Sequence, residues 1–242
     1  MTAHDIIDNR HERLVDHIHA ILPDAKRARF AVGYFFLSGL EALGASLDSI
    51  QELRLLIGST SNRETIEQLS EAYRRLELVQ EQADQIRLAP RAGHRMRARE
   101  TADNLRQTIG VMDQTDAGEE LVHTLIRMVE EQRLKVRVYT RGRLHAKAYI
   151  FDWTNPTPGN RGIAIVGSSN LTLAGIQDNT ELNVLVHDNG NPLDPSQGNH
   201  AKLVAWFEEL WEEAQDFDEL LMTELRHSWA GRLATPYDVY MK

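Results

Sequence analysis

Arg143-Leu-His-Ala-Lys-Ala-Tyr-Ile-Phe-Asp152 alternates as a strand does. His145, Lys147, Tyr149 and Phe151 fall on one face; Ala146, Ala148 and Ile150 fall on the other. Such a strand holds His145 and Lys147 pointing the same way, roughly 7 Å apart at Cα. An imidazole beside an ammonium suits a phosphate. The lysine supplies charge and donors, and the imidazole serves as nucleophile or proton carrier.

A second run follows. Ile163-Ala-Ile-Val166 is a short apolar strand, and Gly167-Ser-Ser-Asn170 is a turn. Gly167 lets backbone approach a ligand closely. Ser168 and Asn170 add a hydroxyl and an amide that donate to phosphate oxygens. Two neighbouring strand ends thus ask for one ligand, a phosphate or phosphodiester.

His145-x-Lys147-x4-Asp152, then Gly167-Ser168-x-Asn170, then Glu181, resembles the HxK motif of the phospholipase D superfamily. The resemblance covers roughly Arg143 to Val186. The family usually keeps about half a dozen residues between aspartate and glycine; here fourteen intervene, Trp153 to Val166. The excess, Trp153 to Gly162, is dense in turn formers and reads as a hairpin loop that leaves both strands intact.

At 242 residues the chain is one large domain, or one with an insertion, and long enough to bury a sizeable core. Its formal net charge of −9 excludes a general polyanion binder, so a nucleic-acid contact requires a local basic patch. The absence of cysteine excludes disulfides and thiolate metal sites. Met1 to Arg13 is polar and charged, unlike a signal segment, and no apolar run has the length of a membrane span. A soluble cytoplasmic protein is the expectation.

The remaining segments read as follows. Ile6 to Leu22 is an amphipathic helix with Ile7, Leu14, Ile18 and Ile21 as its stripe, stopped by Pro23; its histidines, His11, His17 and His19, face solvent. Lys26 to Phe36 is a strand, and Ser38 caps a helix over Gly39 to Leu47. Tyr34 and Phe36 are buried aromatics without a catalytic role. Glu52 to Ile57 is a strand ending at Gly58-Ser-Thr-Ser-Asn62, a hydroxyl-bearing loop. Arg63 to Arg133 is a helical insertion, broken over Pro90 to Arg99. Around that break Arg87, Arg91, Arg95, Arg97 and Arg99 form either a solvated helix face or a nucleic-acid contact. Leu134 to Thr140 is a strand that feeds the motif, Leu182 to Val186 is a core strand, and His200 to Gln215 and Asp216 to Arg232 are helical. His200-Ala-Lys202 repeats the motif letters without a matching aspartate or GSxN, and it sits on a helix, so it is set aside. The aromatic tail, Thr235 to Lys242, reads as a cut before a further domain.

The expected fold is α/β: a phospholipase D-like mixed β-sheet flanked by helices, with the helical insertion at about 63–133, in a single domain spanning 1–242. The resemblance implies that His145 is the nucleophile, forming a phosphohistidine. Lys147 and Asn170 hold the non-bridging oxygens, with Ser168 in support. Glu181 hydrogen-bonds an imidazole and fixes its tautomer. Asp152 completes the motif from the opposite strand face, as a structural or supporting group. Ser169 and Arg143 join the substrate contacts. No metal or other cofactor is implied. The family uses two HxK motifs, and this chain has one, so a two-fold homodimer sharing His145 from each subunit is expected. The substrate expectation is nucleic acid, DNA favoured, with no membrane partner. Three classes remain open: a nuclease; a non-catalytic DNA-binding or targeting module of a helicase; and a lipid or other phosphodiesterase. The order of segments resembles the amino-terminal region found before helicase domains in some bacterial proteins, which implies a covalently linked helicase domain.

Overall fold

Eight strands form one mixed sheet, in the order β1-β7-β6-β5-β2-β3-β4-β8. They are seen in a computed structural model that describes residues 5–58, 94–111, 115–190 and 194–231. In chain order the elements are β1 (Ile6–Asp8), α1 (Leu14–Ile21), β2 (Ala25–Val32), α2 (Leu37–Glu41) and β3 (Glu52–Gly58). Then come α3 (His94–Val111), α4 (Asp116–Glu130), β4 (Leu134–Tyr139), β5 (Lys147–Thr157) and β6 (Asn160–Gly167). The last are β7 (Leu182–His187), α5 (Asn199–Glu213), β8 (Gln215–Asp216) and α6 (Asp218–His227). Strands β2, β3 and β4 run parallel; every other pairing is antiparallel. This is the α/β class with a mixed sheet flanked by helices.

The alternation read in the motif strand has its reason in the packing. Tyr149 and Phe151 enter the core on one face, edge-on to Phe30 at ring-centroid distances of 5.0 and 5.6 Å. That face is covered by α1, α2, α3, α4 and α6. Ala148 and Ile150 face the other side, where Phe207 and Trp211 of α5 cover them. Strand β5 is therefore buried on both sides, and each large side chain so removed from water contributes about 1.5–3 kcal/mol.

Several elements differ from the expectations. Ile6 to Leu22 is not one helix. Ile6–Asp8 pairs with β7, and the chain turns at Asn9, whose Oδ1 accepts the Leu14 N–H at 3.1 Å and starts α1 there. A β-branched pair beside an open sheet edge gains more from the ladder than from a helix end. Ser38 does not cap its helix; Phe36 holds that position. The Trp153 to Gly162 excess is not a loop but a continuation of both arms, joined at Pro158-Gly159, with Gly159 at φ +81°. Part of the expected break at Pro90 to Arg99 is helical, since α3 starts at His94. Leu182 and Val184 of β7 are exposed, so that strand is not wholly core. The segments Glu64 to Arg87 and Thr235 to Lys242, and the loop Ser59 to Asn62, lie outside the described residues.

Asp152 lies midway along β5, well away from His145, in an ion cluster. Arg29, almost fully buried, donates to both carboxylate oxygens of Asp152 through one nitrogen, at 2.9 and 3.0 Å, and to Glu208 of α5 at 2.9 Å. His200 Nε2 sits 3.1 Å from Asp152 and 3.2 Å from the Phe151 carbonyl oxygen. The cluster fastens α5 to the sheet. Burial pushes the Asp152 carboxyl up; the His200 hydrogen bond and the Arg29 charge outweigh it and hold the group below its ordinary value.

Asp152→Ala is expected to destabilise the fold by about 2 kcal/mol in chemical denaturation at pH 7. A carboxylate whose pKa is depressed by folding stabilises above its unfolded pKa, about 4, and that contribution disappears as pH falls through the folded value. The gap between wild type and variant therefore closes below about pH 4.

Candidate active site

The site is built where β5 and β7 begin and β2 and β6 end. Strand β5 begins at Lys147, so His145 stands on the irregular segment before it, exposed, rather than on the strand itself. What fixes that segment is the end of β2. A Cβ on Gly33 would come within 2.8 Å of the Leu144 carbonyl oxygen, 3.4 Å of Asn170 Oδ1 and 3.8 Å of His145 Cα. Only glycine lets the histidine-bearing segment and the Asn170 turn close on the same strand end.

Asn170 is oriented by backbone. Its Oδ1 accepts the Tyr34 N–H at 3.1 Å, which turns its two amide hydrogens away from that contact. The chain after it runs beside residues 35 and 36: Phe35 bridges Leu171, and the Phe36 N–H donates to the Leu171 carbonyl at 3.1 Å. Residues 34–36 meet the Asn170 turn through their backbone, and Tyr34 and Phe36, expected to be buried, are half-buried. Lys147 is half-buried, and its Nζ donates to the His145 carbonyl oxygen at 2.8 Å, so the ammonium lies against the backbone of the histidine-bearing segment.

Ser168 and Glu181 form a pair. The Ser168 hydroxyl donates to Glu181 Oε2 in a very short contact and accepts the Leu182 N–H at 3.1 Å. The Ser168 N–H donates to the Leu182 carbonyl at 3.1 Å. Glu181, expected to meet an imidazole, accepts from this serine instead. Ser169 also departs from expectation. It is fully buried, so it does not join the substrate contacts. Its hydroxyl accepts from Asn183 Nδ2 at 2.8 Å, its N–H donates to Asn183 Oδ1 at 3.4 Å, and its carbonyl accepts from the Tyr149 hydroxyl at 2.9 Å. Burial, with the Glu181 charge behind it, pushes the Tyr149 phenol far up, so it remains a donor.

The other expected residues separate. Asp152 is five residues along β5 from Lys147, roughly 17 Å away, and touches Arg29 and His200 instead. Arg143 is exposed on the segment leading into His145. Before it, the Thr140 carbonyl accepts from Arg97 of α3 at 2.5 Å, so the inserted helices touch the approach to the motif. Arg99 is exposed, whereas Arg87 and Arg91 lie outside the described residues. Among the described residues no group of three or more His, Cys, Asp or Glu side chains is placed to hold a metal. Nor is any described helix long and apolar enough to cross a membrane.

Gly33 and Asn183 were missed by the sequence reading. Asn183 carried a signal: a lone amide inside the apolar run Leu182-Asn-Val-Leu-Val186. A polar side chain at an inward position of such a strand needs a partner, and here the partner is the turn between Ser168 and Asn170.

The family model described as "Cardiolipin synthase, PLD-like domain" matches residues 25–211. No curated protein matches the chain. Among solved structures, NucT from Helicobacter pylori is 11% identical over 88% of this chain and 97% of its own, with a TM-score of 0.42. A mutant of yeast tyrosyl-DNA phosphodiesterase 1 is 12% identical over 72% of this chain and 27% of its own, with a TM-score of 0.37.

Asn183→Ala, which leaves a buried hydroxyl and N–H without partners, is expected to cost about 2 kcal/mol, and Ser169→Ala about 1 kcal/mol. Because the two residues share one set of bonds, the double variant should be little worse than Asn183→Ala alone. Denaturation of all four proteins measures this; simple additivity would mean that the clamp is not shared.

Proposed function

The chain belongs to the PLD-like domain family, and from that premise we propose that it is a metal-independent phosphodiesterase, a nuclease acting on DNA through a phosphohistidine. The observation that carries the reading is the convergence at Gly33. The His145 segment, Lys147 beside it and the Asn170 amide meet at one strand end, with the Ser168–Glu181 pair on the neighbouring strands.

An imidazole nitrogen of His145 attacks phosphorus, a P–N bond forms, and the bond to the leaving oxygen breaks. That oxygen takes a proton from a second imidazole. Water then attacks the phosphohistidine, giving its proton to the same second group, and His145 is released. Lys147 Nζ and the free amide hydrogens of Asn170 offset the charge on the non-bridging oxygens, which grows in the transition state. Glu181 holds the Ser168 hydroxyl and keeps negative charge at the rim, where it can steady an incoming imidazolium.

The second imidazole is supplied by a second subunit. Of the histidines whose side chains are described, His19 bonds Ser46 and the Ala42 carbonyl, His187 bonds Asp5, and His200 bonds Asp152 and the Phe151 carbonyl. His17, His123 and His227 belong to α1, α4 and α6. His11 follows β1, three strands from β5 and so roughly 14 Å away by strand spacing.

The deciding experiment is cleavage of end-labelled single- and double-stranded DNA with EDTA present. Wild type is expected to cleave and His145→Ala to lose about 10⁴-fold or more. Binding without cleavage by a well-folded dimer would discard the autonomous nuclease in favour of a phosphate-gripping module within a larger helicase-type protein. Gly33→Ala, which adds no group to the reacting atoms, should lower kcat about 10²-fold by displacing His145, and should lower the thermal midpoint as well, because the new Cβ meets the Leu144 backbone at 2.8 Å.

A further inference from the structure

The chain from Thr140 to Ala146 lies between β4 and β5, belongs to neither strand, and carries His145. Its position is set by what grips it. At its far end the Leu144 carbonyl fits the space that Gly33 and Gly58 leave open where β2 and β3 end. At its near end Thr140 is fully buried, one residue beyond the last pair of the β3–β4 ladder, and its carbonyl oxygen accepts from Arg97 of α3 at 2.5 Å. A guanidinium on a carbonyl makes a charge-assisted bond, roughly twice as strong as a neutral one. This grip comes from the inserted helices, not from the sheet. Arg97 is also not what keeps α3 in place. Ala102, Leu105 and Ile109 of that helix lie in the core, and Arg106 forks onto both carboxylate oxygens of buried Glu224 of α6, at 2.6 and 2.7 Å. Arg97 therefore reaches to the segment from a base that other residues anchor.

We propose that Arg97 is a positioning residue: by fixing Thr140 it aims the His145 segment at the phosphorus, and so makes the inserted helix α3 a working part of the site. The inference rests on His145 acting as the nucleophile. A segment held at Leu144 alone can pivot about that point, whereas a second hold at Thr140 sets the direction in which the chain enters His145. A misplacement of about 1 Å at a reacting group costs about 10²-fold in rate, so a hold made away from the chemistry is felt in it. The arginine-rich start of α3 was read as either a solvated face or a nucleic-acid contact; at Arg97 the charge turns inward and serves the chain's own backbone.

The test uses the full chain as wild type, Arg97→Met, Arg97→Lys and Arg99→Met. Amide hydrogen exchange over residues 141–146 is read by mass spectrometry, beside steady-state cleavage of end-labelled DNA. Arg97→Met, which removes the donors, is expected to exchange faster over that segment and to lose about 10- to 10²-fold in kcat with KM little changed. Arg97→Lys, which keeps a donor, should fall between it and wild type. Arg99→Met removes the same charge from an exposed position on α3 and should match wild type in exchange and in kcat. If Arg97→Met does not fold, Arg97→Lys carries the same expectation at smaller size. A KM raised alike in Arg97→Met and Arg99→Met, with kcat kept and a shallower salt dependence, would make Arg97 a phosphate contact and overturn the proposal. Unchanged exchange over 141–146 in a folded Arg97→Met overturns it as well, as does an unchanged kcat. A wild type that does not cleave discards the nuclease reading; faster exchange in Arg97→Met then still supports the hold on the segment, and unchanged exchange overturns it.

Discussion

At the end of β2 the backbone of residue 33 and the carbonyl of Leu144 approach so closely that a methyl group would sit 2.8 Å from oxygen. The rest of the site depends on that approach. It brings the chain before β5 against the strand end, and it leaves Asn170 room to accept the Tyr34 N–H. The His145 segment and the Asn170 amide are thereby fixed by backbone geometry rather than by contacts between their side chains. Such an arrangement loses little when a ligand binds, because the groups need no reorganisation.

A second constraint works behind the turn. Ser169 points inward and is gripped by Asn183 and Tyr149, while Ser168 and Asn170 on either side point out. A fully bonded buried polar cluster of this kind holds its elements in one arrangement, because any shift strands a donor or acceptor away from water. The short polar turn is held from beneath as a strand would be.

The motif aspartate serves a different part of the molecule. Asp152, Arg29, Glu208 and His200 link β5, β2 and α5 on the far half of the sheet. A buried ionic cluster is weak evidence for net stability but strong evidence of position, since breaking one partner leaves charge uncompensated. The histidine of His200-Ala-Lys202, set aside as a chance repeat of the motif letters, is one of the groups that binds Asp152. Sequence spacing gave no sign of this, because the two residues lie forty-eight apart and meet only through helix packing.

The alternation of Arg143 to Asp152, the apolar run Ile163 to Val166 and the GSxN turn were enough to place β5, β6 and the residues between them, because strand periodicity is written locally. The same periodicity did not place Ile6 and Ile7 in a strand, since their pairing with β7 is made across the whole chain. It also did not reveal that Leu182 and Val184 face solvent: cover by α5 is a matter of how far a distant helix extends. Residue types and their spacing determined which chemistry the chain offers. Which serine is exposed and which buried, what the aspartate touches and which apolar residues remain uncovered were decided only by tertiary contacts, because each depends on groups far apart in sequence competing for the same space.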